Sequence, residues 1–359
     1  MGLAGQVPSS IAQTNTAWPL ERRCLPPATT PADDWAFDGA ILIQNRQGLH
    51  GLKANAEHAY LAVRLDDHPR FSDDVLGGAL SPDGQHYAEL RGDAGRSFGG
   101  GFLVNAINEI RVHTTDGTQQ WYSLDWRLLD LVFISGGRES LIWLDDERFV
   151  YARDAEGQGA VVNVLHASVQ ANVHPSPVDV GHSLYPSSIP GRNITRYNAV
   201  MRQYQNWVLT DAATETVIDH EGVLSGAVVW YPDASRFIIA VHDPEDNNSA
   251  LSILDMTGAP LYENFFTGEF TDNGYDWSPD SRYLAASING DVHLFDMAAQ
   301  KIIATCLNDA FTLHWSPDGR HLALLERWAY APVQVIDLEA WTLTNIGEHE
   351  GQIIGWRAD

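Results

Sequence analysis

Lysine is almost missing from this chain of 359 residues, occurring only at Lys53 and Lys301. Cationic charge therefore rests on arginine, whose planar guanidinium binds carboxylates and stacks on aromatic rings. Positive charge of either kind is scarce: 22 Lys and Arg stand against 47 Asp and Glu, a formal net charge of −25 with a pI near 4.7. A field of that sign excludes a nucleic-acid backbone and an anionic membrane surface as expected partners, since both require a positive one. Cysteine is limited to Cys24 and Cys306. That excludes a disulfide framework and leaves either one bridge pinning the tail or two unlinked thiols, of which the unlinked pair is the expectation. No apolar run has the length to cross a bilayer, and the first residues, MGLAGQVPSSIAQ, lack the charged and apolar regions of a signal peptide. The chain thus reads as soluble, with its compartment, cytoplasmic or exported, left open. His-x-x-x-His and Cys-x-x-Cys pairs are missing too, so neither a metal site nor a cofactor is expected.

What the chain does contain is strand. Apolar residues make up 44%, with 12 tryptophans, ample for a core, and the Val, Ile, Thr and aromatic usage favours strands over helices. The clearest stretch is Phe311 to Leu325, FTLHWSPDGRHLALL. Phe311, Leu313 and Trp315 alternate with Thr312 and His314 at the period of a strand. Ser316-Pro317-Asp318-Gly319 then supplies a turn, with a proline of suitable φ, an aspartate that bonds local backbone, and a glycine that tolerates positive φ. Arg320 to Leu325 returns as a second, more apolar strand.

This hairpin recurs. Gly78 to Ala88 repeats it with Leu80 in place of the tryptophan, and Leu141 to Ala152 keeps tryptophan and aspartate but loses proline and glycine. Trp230-Tyr231-Pro232-Asp233 and Trp277-Ser278-Pro279-Asp280 are clear copies, and their aspartates lie 47 and then 38 residues before the next, the size of one four-stranded repeat. Around these, Ala40 to Ile43, Leu49 to Leu52 and Tyr60 to Val63 read as three strands of a unit lacking its first. Glu109 to His113 and Gln120 to Leu124 read as outer strands of the next unit, and Val161 to Val169 as strand in the third. Ala171 to Asn193, with four prolines, reads as a long strandless loop. Ala199 to Met201, Trp207 to Leu209 and Val217-Ile218 read as a fourth copy without its turn. Ile353 to Asp359 is a first strand with its tryptophan, after which the sequence stops. Paired with the strands from Trp35 to Leu65, it would complete one unit from both termini and leave no open edge.

Trp-Ser-Pro-Asp-Gly/Ser-Arg-His/Tyr-Leu-Ala in this position resembles the WD40-like repeats found in the propeller of TolB and in many bacterial proteins. The resemblance covers about residues 35–359 and implies a ring of blades; counting the repeats with the composite unit gives an all-β propeller of seven four-stranded blades, closed by pairing of the N- and C-terminal strands, and the polar, Pro/Thr/Ser-rich residues 1–34 read as an extended tail or strap. It implies a ring that binds proteins or peptides and brings no catalytic residues with it. A protein, peptide or small ligand is then the expected partner of a monomeric, non-catalytic module or scaffold. The rival class is a hydrolase or lyase with its site at the channel mouth.

Strand direction puts the Ser-Pro-Asp-Gly turns at one end of the sheets and the second-to-third and fourth-to-first connections at the other. The long loops 91–106, 125–139, 171–193, 243–248 and 327–331 should all leave from that second end. Arg96, Phe98, Arg127, Arg138, Tyr185, Arg327, Trp328 and Tyr330 are the expected contact residues there, since arginine and aromatics anchor interfaces. Gly95-Arg96-Ser97-Phe98-Gly99 matches a nucleophile-elbow string but lacks the strand before and helix after that the mechanism needs. Asp243 to Asn248 is carboxylate-rich without the spaced ligands of a calcium loop, which favours a solvated hairpin tip. The turn aspartates read as turn-bonding groups, not acid–base catalysts. His86, His293, His314 and His321 lie in expected strands, where surface or satisfied core roles fit.

Overall fold

The computed structural model describes residues 17–31, 36–45, 48–54, 60–64, 73–81, 83–94, 104–115, 141–143, 146–152, 159–163, 168–171, 182–186, 192–197, 207–211, 214–218, 223–242, 249–268, 270–308, 311–326, 331–349 and 352–358. Among these residues there are strands and no α-helix.

The strands group into antiparallel sheets in chain order. The tail contributes β1 (Leu20–Arg22). β2 (Ala40–Asn45), β3 (Gly48–Leu52) and β4 (Tyr60–Arg64) form a sheet with the last strand, β28 (Gln352–Arg357). β5 (Asp73–Leu80), β6 (His86–Ala94) and β7 (Val104–Thr114) form the next, followed by β8 (Leu141–Trp143), β9 (Arg148–Ala152), β10 (Gly159–Asn163) and β11 (Ser168–Ala171). Then come β12 (His182–Pro186), β13 (Arg192–Tyr197), β14 (Trp207–Asp211) and β15 (Thr214–Ile218), and β16 (Val223–Trp230), β17 (Arg236–His242), β18 (Ser249–Asp255) and β19 (Pro260–Gly268). β20 (Phe270–Trp277), β21 (Tyr283–Ile288), β22 (Asp291–Asp296) and β23 (Lys301–Asn308) take β1 as a fifth, parallel strand. β24 (Phe311–Trp315), β25 (His321–Glu326), β26 (Ala331–Asp337) and β27 (Thr342–His349) complete the set.

The Ser-Pro-Asp turns show why the hairpin recurs. Ser316 Oγ donates to Asp318 Oδ1 at 2.6 Å and accepts from His321 N at 2.9 Å, while Arg320 N donates to Asp318 Oδ1 at 3.0 Å. Ser81, Asp83, Gln85 and His86 repeat the set, as do Ser278, Asp280, Arg282 and Tyr283. Each carboxylate thus serves the turn, as its sequence position implies. Position four of the turn takes positive φ in every case: Gly84 and Gly319, but also Ala234 at 51° and Ser281 at 59°.

Tryptophan joins one sheet to the next. Trp315 in β24 stacks on Tyr283 of the preceding sheet at 6.1 Å between centroids, and Trp356 in β28 on His321 at 6.4 Å. Trp143 in β8 stacks on His86 at 6.2 Å and donates its Nε1 to Ala79 O at 2.9 Å. Buried apolar clusters fill the same seams. The sheets consequently follow one another as β12–β15, β16–β19, β20–β23, β24–β27, β28 with β2–β4, β5–β7 and β8–β11.

Three expectations change. The stretch 171–193 is not strandless, because β12 lies within it and pairs His182↔Tyr197 through Pro186↔Asn193. Pro186 is the last residue of that strand, where a missing ladder donor costs little. Val161 to Val169 divides into β10 and β11, a hairpin paired from Ala160↔Ala171 to Asn163↔Ser168. Cys24 and Cys306 are bridged, with Cα atoms 4.9 Å apart across a sequence separation of 282. The parallel register of β1 with β23, Leu20↔Ile302 to Arg22↔Ala304, is what brings them together. The expected strands at 120–124 and 199–201 lie outside the described residues.

Candidate functional site

The two ends of the sheets differ chemically. At the Ser-Pro-Asp end carboxylates serve the backbone: besides the turns, Asp255, Asp296 and Asp337 end the third strands β18, β22 and β26, and each accepts from the amides that follow. Four of these carboxyls sit below their ordinary range. The Ser235 amide does this chiefly for Asp233, and the Ser278 hydroxyl for Asp280. For Asp318 and Asp296 burial, the largest single influence, pushes upward and is outweighed only by several groups together: the Ser316 hydroxyl, the Arg320 amide and the nearby His321 and Arg320 for Asp318, and the Ala299 amide, Arg282 and the Ala298 amide for Asp296.

The opposite end is where β2→β3, β6→β7, β25→β26 and the fourth-to-first connections leave. There the innermost strands lose their register. Leu224↔Val241 and Val228↔Ile239 leave 225–227 facing one residue of β17, and Phe270↔Ile288 and Tyr275↔Ala286 leave 271–274 facing one residue of β21. β5 bulges between Val75 and Gly77, and β28 between Ile353 and Gly355. Bulges leave backbone groups unpaired and re-aim side chains, and they gather at rims beside binding sites. β8, β12 and β24 pair with their second strands without a shift, β24 from Phe311↔Glu326 to Trp315↔Leu322. A glycine in or beside each bulge (Gly77, Gly226, Gly274, Gly355) was the available sequence signal.

Three histidines border this end. His50 on β3 and His349 at the end of β27 lie in successive sheets, close enough for His50 to act on His349 electrostatically; burial holds both below the ordinary imidazole value, and His50 lowers His349 further. His293 on β22 is buried, lies 3.1 Å by Nδ1 from Asp291 O, meets Phe266 in a tilted ring contact at 5.3 Å between centroids, and is likewise lowered, first by burial. Neutral imidazoles at neutral pH offer one donor and one acceptor each. Elsewhere, Glu89 and His113 form a buried pair at 3.2 Å within the β5–β7 sheet, beside Tyr87, whose hydroxyl donates to Gln44 at 3.0 Å. His314 and His321 fill seam roles next to Asp276 and Trp356.

Of the expected contact residues, Arg96, Phe98, Arg127, Arg138, Arg327, Trp328 and Tyr330 lie outside the described residues; the β6→β7 and β25→β26 connections, which hold Arg96, Phe98, Arg327, Trp328 and Tyr330, join strand ends at the bulged rim. Tyr185 stands in β12, next to its last residue, and so at the Ser-Pro-Asp end. The loops 95–103 and 243–248 also lie outside the described residues. Among the described residues no cluster of His, Cys, Asp and Glu could hold a metal ion, and no helix is long and apolar enough to cross a membrane.

No family model matches the chain, and no curated protein matches it. Solved structures do. A chain of the hydrazine synthase of Kuenenia stuttgartiensis is 13% identical over 77% of this chain and 80% of its own, with a TM-score of 0.51. A chain of a mitotic checkpoint complex is 13% identical over 98% and 92%, at 0.50. An oligogalacturonate lyase in complex with manganese is 14% identical over 77% and 78%, also at 0.50. These neighbours place the chain in the β-propeller class. At such identities the likeness extends to the fold alone.

Proposed function

We propose that this chain is a seven-bladed WD40-like propeller, its ring completed where β8–β11 meets β12–β15, and that it serves as a non-catalytic binding module. The bulged, long-looped end receives a protein, peptide or small ligand. Arg96, Phe98, Arg127, Arg138, Arg327, Trp328 and Tyr330 are the contact residues of this reading, which does not depend on Tyr185 in β12. The observation that carries this reading is the gathering of the register shifts in β5, β16, β20 and β28 at the rim where the β6→β7 and β25→β26 connections also leave. A net charge of −25 favours a basic or neutral partner. The bridge between Cys24 and Cys306 supports folding in an oxidising compartment. One structural neighbour belongs to a multiprotein complex and another is a lyase, so the test must separate the two classes.

Partner capture from the native source by the wild-type chain is expected to be lost when Arg96, Trp328 and Tyr330 are replaced together by alanine. Single changes should each leave most of it. Unchanged capture by the triple variant would remove the rim from the account. A turnover abolished by His50→Ala or His349→Ala alone would instead make the protein an enzyme.

A further inference from the structure

Residues 17–31 cross the outer strands of three sheets in succession. Trp18 is buried between Phe265 and Tyr262, at 4.8 and 5.5 Å between ring centroids, and its amide donates to Phe265 O on β19. Leu20 to Arg22 then pair with β23, flanked by Ile302 N to Pro19 O, Arg23 N to Ala304 O and Leu25 N to Thr305 O, each at 3.0 Å. Thr29 finally bridges β27, donating to Leu343 O and accepting from Asn345 N. Without the segment, β23 would present an unpaired edge, and such edges are templates for another strand.

The middle of the segment is held weakly by its side chains. All three residues of β1 are exposed, with Leu20 at 52%. Glu21 meets Lys301 at 3.0 Å in a solvent-exposed pair, and Arg23 lies over Trp341 at 4.1 Å. Exposed ion pairs of this sort contribute little. The covalent tie is the bridge, and Cys24 is itself exposed, within reach of a small thiol.

We propose that the Cys24–Cys306 disulfide is a latch over a strand-addition site on the outer edge of β23, and that reducing it lets residues 17–31 leave so that the same segment of a second copy can take their place. A dithiol supplies the reaction: its thiolate attacks one bridge sulfur, its second thiol resolves the mixed disulfide, two protons pass to Cys24 and Cys306, and the dithiol ends oxidised. The occupant is defined by what is seated there now: an aromatic anchor for the Phe265–Tyr262 pocket, three residues in parallel register, then Leu25 against the cluster around Ile303 and Leu343. The site lies on the outer edges of the sheets, so it is independent of the rim proposed above.

The probe is a synthetic peptide of residues 17–31 with Ser at the Cys24 position, fluorescently labelled and titrated into the full chain. Three forms are compared: oxidised, reduced with dithiothreitol, and Cys24→Ser/Cys306→Ser. Polarisation should rise with the reduced chain and the serine variant and stay flat with the oxidised one. Hydrogen exchange should show 17–31 and the β23 amides opening at least about tenfold faster on reduction, with β21 and β22 unchanged. Equal binding by all three forms, binding by none, or unchanged exchange of 17–31 would overturn the latch. So would loss of protection in β21 and β22, because the bridge would then be a staple of the whole fold. If the serine variant fails to fold, the reduced wild-type chain decides alone.

Discussion

Replacing Trp315 by alanine is expected to cost about 3–5 kcal/mol of folding stability, read as a fall in the denaturant midpoint. Trp315 is buried at the seam between β20–β23 and β24–β27, among Ala285, Leu294, Leu322 and Ile336. Its Nε1 donates to Asp276 O at 3.0 Å, and its backbone amide to Asp276 Oδ2 at 2.8 Å. Asp276 also accepts from the Trp277 amide, so one carboxylate ties the innermost strands of two sheets. Alanine leaves a cavity that strands fixed by ladder hydrogen bonds cannot close. Trp315→Phe should lose less, since the ring contacts survive and what is lost is chiefly one hydrogen bond, about 1 kcal/mol. An alanine variant within about 1 kcal/mol of wild type would show that the repeated tryptophan is not what joins the sheets.

Gly39→Ala should be comparably severe, and at a point that looks innocuous in sequence. Gly39 has φ +87°, a conformation that costs other residues about 1–2 kcal/mol. A Cβ there would fall on the carbonyl oxygen of Arg357 and lie 3.2 Å from Ala358 Cα, both backbone atoms of the terminal segment. The pairing Ala40↔Arg357 would have to shift, for a total of about 3 kcal/mol or more. Gly319→Ala is the control. Its φ is +70°, but the added Cβ meets only Pro279 Cδ at 3.5 Å, so the cost stays near the conformational 1–2 kcal/mol. Thermal unfolding of the two variants, with hydrogen exchange on 352–357, separates them. Equal losses would mean that the approach of β28 to β2 is not tight.

Acid should destabilise the fold in two stages. His50, His293 and His349 have folded values below the ordinary imidazole value, so the unfolded chain takes up their protons first and stability falls as pH drops below about 6.5. Asp233, Asp280, Asp296 and Asp318 have lowered folded values, so their contribution is fully present above the unfolded value near 4 and lost as pH falls through the folded ones. Relief of the −25 net charge acts in the opposite direction. Denaturation at pH 7, 5 and 3 for wild type and Asp280→Asn/Asp318→Asn distinguishes the two. A pair of asparagines that leaves the loss between pH 5 and 3 undiminished would exclude the turn carboxylates as its source.

The sequence by itself determined the repeating unit, because everything that makes it is local. A serine, a proline, an aspartate and a residue of positive φ close the turn through bonds spanning no more than five positions, as Ser316, Asp318 and His321 show. Alternation before the turn and an aspartate after the third strand are equally local, so the hairpins at Leu80, Trp230, Trp277 and Trp315 were legible, as was the pairing of the terminal strand with Ala40 to Asn45. β12 was not, since His182-Ser183-Leu184-Tyr185-Pro186 carries little apolar alternation and becomes a strand through its ladder with β13.

Only the tertiary structure decided the rest. Cys24 meets Cys306 because a parallel strand of the tail settles on β23, a contact across 282 positions that no local pattern encodes. His50 and His349 become neighbours, and lose their ordinary basicity, because two sheets pack against each other. The register shifts of β5, β16, β20 and β28 gather at one rim because strand direction places the entrance of every innermost strand there. Local chemistry fixes a turn within a few residues, whereas a seam, a bridge or a binding rim exists only once distant strands have been laid side by side.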